Sequence, residues 1–204
     1  EVDINAFQSY AYLVAFNASN KDKIAPVSTT YLEPMGIYSS KVKKVEEFAN
    51  GATIAIPNDA ANEARALLLL QSAGLLKLKA DFDPATGTPN DITENAKKIV
   101  IKPIQMATAV RVKDEVDAIV LGNTLALEGG LNVLKDSIYY EPVDQSTKLN
   151  VNILATAESR KDDPLLQKVG ALYHTEAVNK YVQEKFAGTK VDVNKPISYL
   201  TETK

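Results

Sequence analysis

Arg65 is the side chain whose position in the sequence most clearly indicates a chemistry. Its guanidinium is a planar, permanently charged fork that matches a carboxylate. Asn58 and Asp59 are residue types that begin helices, and a helix N-terminus favours an anion because its backbone N–H groups are unpaired. This combination predicts recognition of a carboxylate. The alternative is that Arg65 pairs with Glu63 or a neighbouring acid on a solvated face, and this stretch alone supports both equally.

A strand, a turn and a helix are predicted to position these residues. Thr53 to Ile56 is a β-branched, apolar run that is typical of a buried parallel strand, and Pro57 forces the chain to turn. The apolar run from Ala66 to Leu70 predicts the buried face of a helix that Gly74 would end. Because the helix N-terminus then lies at the carboxyl end of a strand, we expect a binding site there.

A second strand end of the same kind occurs in the middle of the chain. Val116 to Leu121 is apolar and predicts a buried strand, which ends at Gly122, Asn123 and Thr124. Since open α/β sheets bind ligands at such turns, Gly122 and Asn123 are candidate ligand-binding residues. The alternation of short apolar strands with helices predicts an α/β fold with mixed, mostly parallel sheets.

Two stretches have the pattern of crossings between lobes. Tyr31 to Tyr38 is apolar but contains Pro34 and Gly36, which predicts a bent or edge strand. Lys148 to Ala155 alternates apolar residues with asparagines, which is typical of a half-exposed strand. Two hinges of this kind indicate two lobes, the second inserted into the first, with a cleft between them.

Three aromatic side chains lie close together near the start of the chain, namely Phe7, Tyr10 and Tyr12. A single aromatic residue is most often part of a core. Three around a turn, beside the polar residues Gln8 and Ser9, can instead form the wall of a pocket. Both interpretations stay open at this point.

Composition excludes several kinds of site. The 204 residues can bury a full core, and the absence of cysteine rules out disulfides, thiolate catalysis and zinc–sulfur sites. The net charge of -3 gives no reason to expect nucleic acid as a partner. The one histidine, His174, lies in a polar helical region, so we expect a surface residue and no Ser-His-Asp triad. Asp81 and Asp83 lack the rest of a calcium-loop pattern, so we predict no metal site.

Several longer motifs carry a resemblance to a known family. They are DINAFQ at 3–8, YLEPMGIYSSKVK at 31–43, AIPNDAANEARALLLLQSAGLLKLK at 55–79, DITEN at 91–95 and VNILATAE at 151–158. Together they resemble the NlpA/MetQ family, the substrate-binding lipoproteins of methionine ABC importers. The similarity runs from about residue 1 to about residue 187.

The resemblance implies two α/β lobes of the type II periplasmic binding kind that close on an amino acid. Lobe one would comprise residues 1–33 and 150–204, and lobe two residues 34–149. By position, Arg65 would hold the ligand carboxylate and Asn152 would bond the head group. The side-chain pocket would be lined by Phe7, Tyr12 and Tyr31.

The implied function is that of an extracytoplasmic solute-binding protein, at the cell surface or in the periplasm. It would capture L-methionine, or a related amino acid or small peptide, and deliver it to the permease of an ABC importer. Its membrane attachment would be a lipid anchor that these residues do not include. The resemblance implies no enzyme activity, no cofactor, no metal and no nucleic acid.

Three departures from the family pattern bear on this expectation. Ser9 stands where the family has a pocket histidine, and Gly122 stands where it has a head-group asparagine, although Asn123 is adjacent. Loss of such partners relaxes selectivity, so we expect the ligand class to be amino acids and related small molecules, of which L-methionine is one. The family's initial strand, helix and strand have no counterpart, which implies an N-terminally truncated lobe one with exposed sheet edges.

Two alternatives remain at the level of the sequence. One is a truncated paralogue or fragment that binds nothing. The other is an enzyme on the same fold, since fold alone does not set function. Its candidate acids would be Glu33, Asp59 and Glu63, none of which has a recognisable catalytic partner in the sequence.

Overall fold

The chain is an α/β protein, and a computed structural model describes residues 2–142, 144 and 146–202, with the side chain of Phe7 outside the described part. The strands are β1 (Asn5–Ser9), β2 (Ile24–Thr29), β3 (Tyr31–Leu32), β4 (Met35–Tyr38), β5 (Thr53–Pro57), β6 (Lys77–Leu78), β7 (Ile92–Glu94), β8 (Val100–Ile104), β9 (Ala118–Gly122), β10 (Tyr139–Tyr140), β11 (Asn152–Ala157) and β12 (Val191–Asp192). The helices are α1 (Tyr10–Ser19), α2 (Ala60–Ser72), α3 (Met106–Ala109), α4 (Asn123–Glu128), α5 (Val133–Asp136), α6 (Pro164–Leu172), α7 (Glu176–Lys185) and α8 (Ser198–Thr201). Within the described residues, none of these helices combines the length and the apolar character that a membrane crossing needs.

The chain divides into two compact units. Unit 1 takes in the chain up to Glu33 and again from Pro142 onward, and unit 2 is the continuous segment Pro34–Glu141. Unit 2 therefore ends at Glu141, whereas the predicted second lobe continues to residue 149.

Unit 2 is built on a five-stranded sheet with the order β10-β4-β9-β5-β8. In this sheet β5 is parallel to both β8 and β9, while β4 is antiparallel to β9 and β10 is antiparallel to β4. Helix α2 covers one face, and its leucines form a core with the central strands. The fully buried members of this core include Met35, Ile37, Ile54, Ile56, Leu67, Leu70 and Val120.

Helix α2 has a defined signal at each end. At its start the carboxylate of Asp59 accepts a hydrogen bond from the backbone N–H of Asn62, at 3.1 Å, which satisfies one of the free donors of the first turn. At its end Gly74 adopts a φ of +75°, and Leu75 donates to the carbonyl of Leu70 at 3.0 Å. This is the Schellman arrangement, which needs a residue without a Cβ at its left-handed position. The predicted strand–turn–helix is confirmed.

Unit 1 contains a three-stranded sheet with the order β1-β11-β2 and a separate pair formed by β3 and β12. Every pairing in these two sheets is antiparallel within the described residues. Helix α6 begins at Pro164 behind the capping carboxylate of Asp163, as its sequence predicts, and it packs on β2. At Gly170 a Cβ would lie 2.8 Å from the Cβ of Ser28, so only glycine permits this close approach.

The predicted α/β class is confirmed, but the expectation of mostly parallel sheets holds only in the centre of unit 2. Parallel neighbours need a long crossover connection, and the helical segments that follow β5 and β8 supply it there. The other strands meet by antiparallel pairing instead. The predicted bent strand from Tyr31 to Tyr38 is in fact two strands, β3 and β4, in different sheets on either side of Pro34.

We predict that Leu67→Ala lowers the free energy of unfolding of unit 2 by about 2–5 kcal/mol, because Leu67 is fully buried and its truncation leaves a cavity. Chemical denaturation followed by circular dichroism measures this change. Leu165→Ala is the control, since that side chain is 66% exposed and its loss should stay within about 0.5 kcal/mol. Equal effects of the two substitutions would contradict the packing described for α2.

Candidate functional site

Several strand ends meet at one edge of the sheet in unit 2. Strands β5 and β9 are parallel, so their carboxyl ends lie on the same side, and β9 ends at Gly122. Met35, the first residue of the antiparallel strand β4, is the register partner of Gly122. Glu141 follows β10 directly, and its backbone N–H donates to the carbonyl of Met35 at 3.0 Å. The edge therefore brings Gly122, Met35 and Glu141 together.

Arg65 reaches this edge from helix α2 and binds Glu141 in a bidentate ion pair. Its Nε donates to Oε1 of Glu141 at 2.7 Å, and its Nη2 donates to Oε2 at 2.5 Å. The side chain of Glu141 is 5% exposed and that of Arg65 is 19% exposed. Parallel N–H···O bonds of this type are among the strongest in proteins.

This ion pair settles part of the choice left open by the sequence. Arg65 does pair with an acid, but the partner is Glu141 rather than Glu63, and the pair is buried rather than solvated. Removing one member would leave a buried charge uncompensated, at a cost of roughly 3–5 kcal/mol. The role of Arg65 toward a ligand stays a prediction.

At Glu63 itself, burial and then the neighbouring charge of Asp59 raise the pKa of the carboxyl.

Asn123 has an unusual environment at the end of β9. It is the first residue of α4 and only 1% exposed, and neither Oδ1 nor Nδ2 of its amide has a hydrogen-bond partner. A buried amide without partners costs about 1–3 kcal/mol. An unpaired buried amide lowers the stability of the folded protein, so its presence indicates a function.

Gly122 leaves room for a side chain beside Asn123. Its φ is -68°, which any residue can adopt, and a Cβ placed on it would have Met106 Cε as its nearest neighbour, at 3.8 Å. That distance is an ordinary van der Waals contact. The glycine at this position is therefore not required by the backbone.

The predicted site residues of unit 1 lie around the start of β11. Asn152 is the register partner of Ser9 at the end of β1, and its carbonyl accepts the N–H of Thr30 at 2.8 Å. The backbone of Phe7 pairs with Ile153, whereas the Phe7 side chain lies outside the described residues. Tyr12 is on α1 and is 49% exposed. The structure thus brings Ser9 and Asn152 together through their backbones.

Tyr31 belongs to a different cluster, centred on Lys190. The Lys190 ammonium lies 4.4 Å from the ring centre of Tyr31 and 4.1 Å from that of Phe186, and it forms an ion pair with Glu33. Burial alone lowers the pKa of Lys190, but its hydrogen bond to Glu33 and the charge of Glu33 outweigh burial, so the pKa is raised. The aromatic rings here contact a charge of the protein itself.

The side chain of His174 is only 8% exposed, so the structure corrects the expectation of a surface residue. Its Nδ1 lies 2.7 Å from Oδ1 of Asp192, and its Nε2 lies 3.4 Å from Oγ of Ser28, so Ser, His and Asp side chains do converge. The arrangement is unsuitable for catalysis, however. Nε2 faces the carbonyl of Thr29 at 2.9 Å, and Ser28 donates to that same carbonyl. Both imidazole nitrogens therefore point at acceptors, which leaves no base for the hydroxyl.

The acids considered for an enzyme have structural partners. Asp59 caps α2 and Glu33 pairs with Lys190. Within residues 2–142, 144 and 146–202, no group of three or more His, Cys, Asp or Glu side chains could hold a metal ion. Sequence reasoning missed Glu141 and Lys190, because nothing near them in the chain indicates their distant partners.

The family model described as NlpA lipoprotein matches residues 1–194. Outer membrane lipoprotein 2 of Mannheimia haemolytica is 41% identical over 188 residues, covering 92% of this chain and 67% of that protein. The probable D-methionine-binding lipoprotein MetQ of Haemophilus influenzae is 37% identical over 187 residues, covering 91% of this chain and 67% of that protein.

Solved structures match over both units. Protein PG110 from Staphylococcus aureus has a TM-score of 0.84 and 37% identity, covering 98% of this chain and 79% of that one. A nutrient-binding protein from Burkholderia cenocepacia, bound to methionine, has a TM-score of 0.79 and 36% identity, covering 94% of this chain and 79% of that one.

We predict that Asn123→Leu raises the free energy of unfolding by about 1–3 kcal/mol, because it replaces an unpartnered buried amide with an apolar group of similar size. Thermal and urea denaturation of the ligand-free protein measure the change. Asn132→Ala is the matched control. The Asn132 amide oxygen accepts the N–H of Leu134 at 2.9 Å, so its loss should destabilise by about 1 kcal/mol. A loss of stability in both variants would show that the Asn123 amide is satisfied.

Proposed function

The chain belongs to the NlpA lipoprotein family, and on that premise we propose that it captures an amino acid and delivers it to an ABC importer. It is an extracytoplasmic solute-binding protein of the lipoprotein type rather than an enzyme, because its relatives are outer membrane lipoproteins and methionine-binding lipoproteins. Within the proposal, the ligand is L-methionine, a related amino acid or a small peptide. The Burkholderia relative bound to methionine supports this ligand class.

The observation that carries the proposal is the unpartnered amide of Asn123, at the same sheet edge as the carboxyl end of β9. An amide offers one acceptor oxygen and two donor hydrogens. The head group of an amino acid offers a carboxylate that accepts and an ammonium that donates, so it can satisfy both sides of the amide. Because both amide atoms are shielded from solvent here, ligand binding must be accompanied by movement of the groups that cover them.

Arg65 is proposed to bind the ligand carboxylate. The guanidinium is a planar fork of N–H donors that suits a carboxylate, and its Nε and Nη2 donate to Glu141. Asn152 is proposed to bond the head group. In unit 2, Gly122 leaves space beside Asn123 that a larger side chain would fill. The side chain of the ligand is assigned to Phe7, Tyr12 and Tyr31.

Delivery requires that a partner can tell the loaded protein from the empty one. A ligand shifts a protein between conformations only by binding one of them better than the other. The proposed mechanism is therefore a conformational change that the amino acid stabilises, read by the membrane permease of the importer. No covalent chemistry is involved.

We predict that Arg65→Lys weakens amino-acid binding by roughly 10- to 100-fold, because lysine keeps the charge opposite Glu141 but loses the planar fork. The test begins with native mass spectrometry of the purified protein, to identify any amino acid that it carries. Isothermal titration calorimetry with L-methionine and a panel of other amino acids then compares wild type and variant.

Arg111→Lys is the matched control, since Arg111 is exposed and lies outside the proposed site. It should bind as wild type does. Wild-type affinity in the Arg65→Lys variant would show that Arg65 does not bind the ligand. Absence of binding by the wild-type protein to every amino acid tested would overturn the proposed function and favour a binding-incompetent chain.

We predict that Gly122→Asn tightens amino-acid binding about tenfold without loss of stability, because the new amide fits the available space and adds a hydrogen-bonding group for the head group. Calorimetry measures the affinity and a thermal melt measures the stability. Gly122→Ala fills part of the same space without a polar group and should leave affinity unchanged. Equal effects of the two variants would show that space rather than hydrogen bonding matters at this position.

A further inference from the structure

Met106 lies where the central strands of unit 2 end. It is the first residue of α3, and only Gln105 separates it from β8. Strand β8 is parallel to β5, and β5 is parallel to β9, so the carboxyl ends of all three strands share one edge of the sheet. Helix α3 packs against both β5 and β9. Met106 therefore lies at the sheet edge that holds Gly122 and Asn123.

Met106 also packs against the core on both faces of this sheet. Successive side chains of β9 point to opposite faces, so Val120 belongs to the core beneath α2 and Leu121 to the core beneath α4. Among the residues that the structure describes, Met106 is the one partly buried apolar side chain that packs against both cores. A single side chain reaches both faces of a sheet only around the ends of the strands. Met106 therefore covers those ends.

This position makes Met106 a suitable cover for the Asn123 amide, whose two polar atoms are shielded from solvent and have no hydrogen-bond partner. The Cε of Met106 would lie 3.8 Å from a Cβ on Gly122, the residue before Asn123. A methionine side chain is unbranched and flexible, so it can move aside at little cost. The start of α3 also lacks a side-chain capping bond from Gln105, unlike the start of α2, which Asp59 caps.

We propose that Met106 is the movable cover of the Asn123 amide: it keeps water from the amide in the ligand-free protein and moves aside when the head group of an amino acid enters. The proposal rests on the proposed function, since it requires an amino acid to bind at Asn123. A ligand that meets a dry amide has no bound water to displace, so the cover increases affinity. Because the cover must first move, it also slows association.

Binding of L-methionine to variants of Met106 tests both consequences. Met106→Ala should weaken the affinity about tenfold, because water then competes for the amide. It should also raise the association rate constant about threefold or more, because no cover has to move. Calorimetry measures the affinity, and stopped-flow tyrosine fluorescence measures the association rate.

Met106→Leu is the matched control, since it keeps an apolar cover of similar size and should bind and associate as wild type does. A weaker affinity of Met106→Ala with unchanged or slower association would indicate damage to the site rather than its uncovering, and would overturn the proposal. An equal loss of affinity in both variants would overturn it as well, because the leucine still covers the amide.

Hydrogen exchange of the Asn123 side-chain amide, followed by NMR in the ligand-free protein, tests the cover directly. The amide hydrogens should exchange slowly with water in wild type and in Met106→Leu, and rapidly in Met106→Ala. Wild-type exchange in the alanine variant would show that other groups exclude water from the amide.

A double-mutant cycle of ligand-free stability tests the same point without any ligand. In the wild-type background, hydration of the uncovered amide offsets part of the packing that Met106→Ala loses. The same substitution in the Asn123→Leu background has no amide to hydrate, so it should lower the urea midpoint further. Equal decreases in the two backgrounds would show that Met106 does not act on the amide.

The outcomes separate the cover from the function on which it rests. If wild type binds an amino acid and Met106→Ala binds with the same affinity and rate, the cover fails and the proposed function stands. If wild type binds neither L-methionine nor any other amino acid, the proposed function fails and the role of Met106 in binding fails with it.

Discussion

The buried ion pair between Arg65 and Glu141 is the interaction on which the architecture of unit 2 depends. Two charges can leave water only if each finds partners in a fixed geometry. Here that condition joins three elements, because the carboxylate of Glu141, the residue after β10, accepts hydrogen bonds from Arg65 on α2 and from Met35 at the start of β4. The requirement for complete hydrogen bonding thus aligns elements that are far apart in the sequence.

Asn123 lies at the same sheet edge, directly after Gly122, which is the register partner of Met35. The carboxylate of Glu141 accepts hydrogen bonds from Arg65 and from Met35, whereas neither side of the buried Asn123 amide has a hydrogen-bond partner. The hydrogen bonds of Glu141 stabilise one part of the edge and offset the cost of the unpaired Asn123 amide in another part. Proteins commonly support destabilising functional residues with a stable scaffold in this way.

Local rules predicted the elements whose signals lie within a few residues of one another. Asp59 and Gly74 delimit α2, and Pro164 begins α6, because capping and left-handed turns depend on neighbouring residues alone. Contacts between distant segments could not be predicted in this way. The partner of Arg65 lies beyond β10, and the imidazole of His174 meets groups from β2 and β12. Such pairings follow from the topology of the sheets, which single-sequence patterns do not specify.

The hydrogen bonds between Met35 and Glu141 have a consequence for the modularity of the chain. Met35 and Glu141 lie at the two ends of the continuous segment that forms unit 2, and they are joined by two hydrogen bonds. Because the two ends of this segment are adjacent, the chain enters and leaves unit 2 at the same place. Joining these ends and opening an exposed loop such as 83–86 would therefore give a circular permutant that keeps the strand order β10-β4-β9-β5-β8 of unit 2.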